Sequence, residues 1–182
     1  ATKYVKTSNF TFGGGGFSFE LFWEPDAFGI SSKTRTILTL DFADQSSTQG
    51  WPSLAVQVTN DNATSTRINS YVLNDSTTVT QNNITATTNS AAVTHFVGVF
   101  QEIDATSYQV TAYVDGVMSA SNTFTSNYTA PIEGDTLLQL CNQQDLDGNR
   151  YYPGEYYYTR LWNGTSLTAT DAAQLYSNRL SS

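Results

Sequence analysis

Phe17-Ser18-Phe19-Glu20-Leu21-Phe22-Trp23 places a large apolar side chain at every second position. Period two is the repeat of a β-strand, so Phe17, Phe19, Leu21 and Trp23 share one face. Working outward, Thr36 to Phe42 aligns Leu38, Leu40 and Phe42, and Ser53 to Val58 aligns Leu54, Val56 and Val58. Arg67 to Leu73, a Thr/Asn-rich stretch near Thr77 to Thr87, His95 to Gln101 and Tyr108 to Val114 follow. Asp115-Gly116 is a two-residue hairpin signal, and Val117 to Thr125 returns from it. Asp135 to Cys141 and Glu155 to Trp162 complete the series. Short alternating segments separated by Gly, Asn, Asp and Ser predict an all-β, two-sheet antiparallel sandwich. Only Asp171 to Arg179 has helical spacing, through Ala172, Leu175 and Tyr176, and Thr170 is its expected N-cap.

The chain has 182 residues, enough for one domain with a full core. Charged residues make up 13%, about half the usual quarter, so Ser, Thr, Asn and Gln carry much of the solvation. The net charge of −8 repels phosphate backbones and argues against a nucleic-acid partner. Lys and Arg are scattered, and the apolar runs are strand-sized, so neither membrane adsorption nor insertion is expected. The absence of a leader at Ala1 is what a mature secreted chain, or a trimmed one, would present.

Gly13-Gly14-Gly15-Gly16 forms a hinge that divides the chain into an arm, residues 1–16, and a sandwich domain, residues 17–182. The arm carries Tyr4, Val5, Phe10 and Phe12 among strand-forming residues. Two readings stand: it is the domain's own first strand, or it leaves on its tether to pair with a neighbour's sheet edge.

N-x-[ST] sequons occur at Asn9, Asn62, Asn74, Asn83, Asn127 and Asn163, and none has proline at the middle position. Six spread acceptors favour a secreted, extracellular glycoprotein. The single cysteine, Cys141, ends the run Leu137-Leu138-Gln139-Leu140 and reads as a small core hydrophobe.

Three segments in order resemble the laminin G-like family of the concanavalin A-like superfamily. Val93-Thr94-His95-Phe96-Val97-Gly98-Val99-Phe100 is similar to its W-x-H-V-A-G-x-Y strand. Tyr113-Val114-Asp115-Gly116-Val117 resembles its Y-V-D-G-V hairpin. Gly154 to Asn163 resembles G-x-I-D-E-V-R-I-Y-N, with Tyr157 and Tyr158 where the family has acids and Val93 where it has Trp. The helix from Thr168 to Tyr176 fits the family's tail. The resemblance implies a jelly roll, in a superfamily of lectins, adhesion modules, spacers and some glycan-cleaving enzymes, so function has to come from a site.

A retaining glycosidase places two carboxylates about 5 Å apart on one strand face. Glu102-Ile103-Asp104 is the one candidate, and it reads as a strand end entering a hairpin. A lyase needs a Tyr or His base beside Arg or Gln. The single histidine, His95, occupies the family's structural histidine position and reads as a packed strand residue. No nucleophile elbow and no His/Cys cluster for zinc is present. No cofactor is required on this reading, and the chain is expected not to be an enzyme. Asp145, Asp147 and Asn149 alternate around Gly148 and offer oxygen ligands for calcium. The twelfth position holds Tyr156 in place of a bidentate Glu, which favours a plain solvated turn.

Two functional classes follow. The first is a structural module that self-associates through the arm; a head-to-tail contact of that kind does not close and builds a filament. The second is a lectin-like adhesion module that stacks glycans on aromatic side chains. Its candidate platforms are Trp51, Tyr151, Tyr152 and Tyr157.

Overall fold

The computed structural model describes residues 5–6, 10–11, 16–25, 35–42, 54–58, 65–73, 79–87, 93–104, 107–125, 135–140 and 154–179. The arm contributes β1 (Val5–Lys6) and β2 (Phe10–Thr11). Then follow β3 (Gly16–Pro25), β4 (Arg35–Phe42), β5 (Leu54–Val58), β6 (Ser65–Leu73) and β7 (Val79–Thr87). After them come β8 (Thr94–Asp104), β9 (Ser107–Val114), β10 (Val117–Thr125), β11 (Asp135–Leu140), β12 (Gly154–Asn163) and α1 (Ala169–Asn178).

These strands form two antiparallel sheets. A seven-stranded sheet runs β1-β11-β4-β5-β6-β7, with β2 also on β11, and a five-stranded sheet runs β10-β9-β8-β3-β12. The period-two pattern of β3 is realised as expected: Phe17, Phe19, Leu21 and Trp23 are buried between the sheets. They meet Phe96, Phe100, Tyr108, Val110 and Ala112 of their own sheet, and Leu38, Ile84 and Ala86 of the other. Phe17 stacks on Phe100, with ring centroids 4.6 Å apart and planes within 6°.

Phe19 lies opposite Gly98 in the β3–β8 register. A Cβ on Gly98 would fall 2.1 Å from the Phe19 ring, so the ring occupies the space that any other residue's side chain would need. Strand β8 is buried from Thr94 to Phe100 on both faces, which is why His95 to Phe100 reads as a nearly continuous apolar run. Its outer side, with Val97 and Val99, packs together with Tyr113 of β9 against Ala172 of α1.

Two details differ from the sequence reading. The helix is capped by Thr168 and not by Thr170: Thr168 has extended backbone, and its side chain accepts from the Asp171 amide 3.2 Å away. The Asp171 carboxylate accepts in return from the Thr168 amide at 2.8 Å. This capping box satisfies orphan helix donors reciprocally, and Thr170 falls inside the first turn.

Second, the described parts of the arm pair within their own chain, in two short ladders instead of one strand. Val5 and Lys6 oppose Leu140 and Gln139, whereas Phe10 and Thr11 oppose Thr136 and Asp135, with the register moving by one residue between them. Tyr4 and Phe12 lie outside the described residues. The Asp115-Gly116 signal holds: Val114 pairs with Val117, and both turn residues have positive φ, 51° and 78°.

Candidate functional site

The outward side of the five-stranded sheet gathers most of the chain's described chemistry. Ser18, Glu20 and Phe22 alternate with the core residues of β3 and therefore face away from the sandwich. The C-terminal segment closes over them. The Ser18 hydroxyl donates to the Thr165 carbonyl and accepts from the Leu167 amide, each at 2.9 Å. The Ser166 hydroxyl donates to the Phe100 carbonyl at 3.0 Å. Farther along, the Tyr176 ring of α1 sits 5.7 Å from the His95 ring, and Arg179 lies over Tyr176 at 3.6 Å.

Beneath this cover Glu20 is wholly buried and has three partners. His95 Nε2 lies 2.7 Å from Oε1, the Tyr158 hydroxyl donates to the same oxygen at 2.9 Å, and Arg160 reaches Oε2 at 3.3 Å. A carboxylate only accepts, so the His95 Nε2–H is the donor of that bond. Nδ1 of His95 is buried and has no hydrogen-bond partner among the described residues. Burial alone would raise the Glu20 carboxyl, but the hydrogen bonds from His95 and Tyr158, with the charges of His95 and Arg160, hold it below the ordinary value. Burial, then the bond to the Glu20 carboxylate, pushes the Tyr158 phenol up to about 12.

Tyr158 stands where the family pattern has an acid, and the carboxylate that meets His95 comes from the adjacent strand β3. Tyr, His and Arg, the residue types of a lyase, are thus together. Glu20 and His95 are fully buried, however, and a general base must come within about 3 Å of the proton it takes. The arrangement ties β3, β8 and β12 together and holds the aromatic floor on which α1 rests.

Near the start of β12 alternation breaks. Tyr156 opposes Trp23 and Tyr158 opposes Phe22, which leaves Tyr157 as an extra residue in a bulge. Tyr156 consequently packs toward the core, while Tyr157 and Tyr158 both lie beside Phe22, with centroids at 5.1 and 5.4 Å. Tyr157 is 48% exposed, and its hydroxyl donates to Glu24 Oε2 at 2.7 Å. That bond raises its phenol, with burial and the charges of Glu24 and Glu155 adding to the effect.

Of the glycan-stacking candidates Tyr157 is the one described; Trp51, Tyr151 and Tyr152 lie outside the described residues, as do Cys141 and the calcium candidates Asp145, Asp147 and Asn149. Among the described residues no group of three or more His, Cys, Asp or Glu is placed to hold a metal ion. Glu102 and Asp104 are exposed at the end of β8, and a register shift between them interrupts the alternation that a two-carboxylate site needs. Sequon residues Asn83 and Asn163 are exposed, and Asn9, Asn62, Asn74 and Asn127 lie outside the described residues. The Glu20 network was missed by the sequence reading. Its one signal was an acid in the middle of the aromatic-rich alternation from Phe17 to Trp23.

Several solved structures share this fold. A native heptameric SAP-like pentraxin from Limulus polyphemus superposes with a TM-score of 0.66 at 11% identity, over 95% of this chain and 75% of that one. The CBM40 of a Ruminococcus gnavus IT-sialidase, bound to α2,3-sialyllactose, gives 0.63 at 8% identity, over 94% and 97%. A botulinum neurotoxin type C, which interacts with two ganglioside molecules, gives 0.57 at 8% identity, over 92% of this chain and 36% of that one. At such identities the likeness carries the fold alone. No protein of curated function matches the sequence. The laminin G-like model of the concanavalin A-like lectin/glucanases superfamily matches residues 1–173, arm included, and the chain belongs to that family.

Proposed function

We propose that the chain is a non-catalytic extracellular glycoprotein module with a structural role, a filament subunit that docks its N-terminal arm on the next copy. The observation that carries this reading is the place of the arm. Strands β1 and β2 occupy the edge of the seven-stranded sheet on β11, while β3 lies inside the other sheet. Only residues 12–15, three of them glycine, separate β2 from β3. An edge strand on a glycine tether makes the same backbone hydrogen bonds to β11 of a neighbour as to its own, because those bonds are blind to which copy supplies them. Each described ladder of the arm is two residues long, with a one-residue change of register between them, so few of the described backbone bonds tie it to its own sheet.

The test is a cysteine pair at two register partners, Val5→Cys with Leu140→Cys, in a Cys141→Ser background. Oxidation of native material should give a ladder of covalent oligomers. Crosslinked monomer alone would remove the reading.

A second reading is glycan binding. It is supported by the sialyllactose-bound and ganglioside-interacting relatives of the fold, and by the half-exposed Tyr157 ring beside the Glu24 carboxylate. An aromatic face with an adjacent acceptor suits a sugar's C–H face and hydroxyls. A glycan array probed with wild type and Tyr157→Ala tests it: binding lost in the variant supports this reading, and an array silent at high protein concentration ends it.

A further inference from the structure

Four of the six sequons stand on or beside the strands that end the two sheets. Asn83 lies within β7 and Asn163 closes β12. Asn9 falls between β1 and β2, and Asn127 comes two residues after the end of β10. Among the described residues β7 ends one side of the seven-stranded sheet and the arm the other, and β10 and β12 end the five-stranded sheet.

A sheet edge is a row of unpaired N–H and C=O groups that templates pairing with another chain; charges, proline or a bulge usually blunt it. Three of the four edges have such a device. The arm carries Lys6 and a register change, β10 a register shift between Met118 and Ala120, and β12 a bulge together with Glu155 and Arg160. Strand β7, Val-Thr-Gln-Asn-Asn-Ile-Thr-Ala-Thr, has no charge and no proline, and its nine residues pair with β6 without a register shift. A long, regular, uncharged strand of this composition is a predicted aggregation site. At its middle stands the sequon Asn83-Ile84-Thr85. Asn83 and Thr85 are exposed, while Ile84 and Ala86 are buried in the core.

We infer that Asn83 carries an N-linked glycan whose function is to guard the β7 edge against strand pairing. The donor is a polyprenyl-diphosphate-linked oligosaccharide: the Asn83 Nδ2 bonds to the anomeric carbon, the glycosyl–phosphate bond breaks, the lipid diphosphate leaves with the electron pair, and the transferase's base takes the amide proton. A second strand must approach to about 4.7–4.9 Å to pair, and a hydrated, branched sugar at mid-strand occupies that approach. The inference goes beyond the assembly reading and holds if the arm never leaves its own sheet. If the arm does exchange, sugar on β7 confines strand exchange to the β11 edge.

Peptide mapping of the mature glycoprotein should find Asn83 occupied. Asn83→Gln and Thr85→Ala both erase the sequon and should raise light scattering and β-dye binding severalfold at equal concentration, with the melting midpoint kept. Asn62→Gln, between β5 and β6, should do neither. Asn83→Lys supplies a charge in place of the sugar and should restore dispersion, which separates edge protection from a glycan needed for folding. An unoccupied Asn83, Asn83→Gln chains as dispersed as wild type, or Asn83→Lys chains that aggregate like Asn83→Gln would each overturn the inference. Loss of arm crosslinking leaves all four readouts unchanged.

Discussion

Glu20 and His95 meet as diagonal neighbours on β3 and β8, with Oε1 and Nε2 2.7 Å apart and neither side chain exposed to solvent. Glu20 faces the Tyr158 hydroxyl and the Arg160 guanidinium as well, and the Tyr176 ring covers the imidazole. A buried ionic group of this kind adds little over a well-packed apolar one, but removing one member strands the others.

Glu20→Ala should therefore cost about 3–5 kcal/mol, because it leaves His95 without its acceptor and Arg160 without its counter-charge. Urea denaturation measures it; a loss under about 1 kcal/mol would mean that the network does not hold the strands together. Glu20→Gln, which keeps the shape and an acceptor, should cost less.

The same carboxyl gives an acid limb. Its folded-state pKa lies below the unfolded one, so its contribution is fully present above the unfolded value of about 4.3 and is lost as pH falls through the folded value. Wild type should lose stability below about pH 4 more steeply than Glu20→Gln. Parallel acid limbs would contradict this.

Tyr158 works in the opposite direction. Its phenol is raised to about 12, so the neutral form's contribution is fully present below the unfolded value of about 10 and is lost between there and about 12. Thermal melts across that window should fall more steeply for wild type than for Tyr158→Phe, which cannot ionise.

Gly98→Ala should destabilise by about 1–3 kcal/mol or more, since its methyl would enter the Phe19 ring. Combined with Phe19→Leu, the second substitution should cost clearly less than it does alone. A double-mutant cycle with no coupling would place the strain elsewhere.

Thr168→Ala should cost about 1 kcal/mol and Thr170→Ala much less, because the hydroxyl that accepts from the Asp171 amide belongs to Thr168. Equal effects in thermal melts would refute the capping box.

Deletion of residues 1–15, which leaves Gly16 to pair with Gln101, should give folded monomers if the arm joins copies. An unchanged oligomeric state by light scattering would exclude that role.

The strands and the core were legible in the residues because burial writes its period directly into the sequence. The alternation from Phe17 to Trp23 predicted the core face, and Asp115-Gly116 predicted a turn that needs positive φ. The helix was legible as an element but its cap was displaced by two residues: Thr168 and Thr170 are chemically alike, and the Thr-x-x-Asp spacing that distinguishes them is weak. The bulge at Tyr157 was not legible either: it turns Tyr156 toward the core and Tyr158 outward, where simple alternation would give them one face.

What the sequence determined by itself is thus the fold class, the strand order along the chain and the sequon set, all consequences of local chemistry and periodicity. The tertiary structure alone decided which strands end the sheets and which residues meet across them. Glu20 and His95 are 75 positions apart, and Val5 and Leu140 are farther still; no local pattern encodes such pairings. They exist because closing two sheets over one core fixes a register, and that register turns an acid in an apolar strand into the centre of a buried network and an ordinary sequon into the middle of the strand that ends the described sheet.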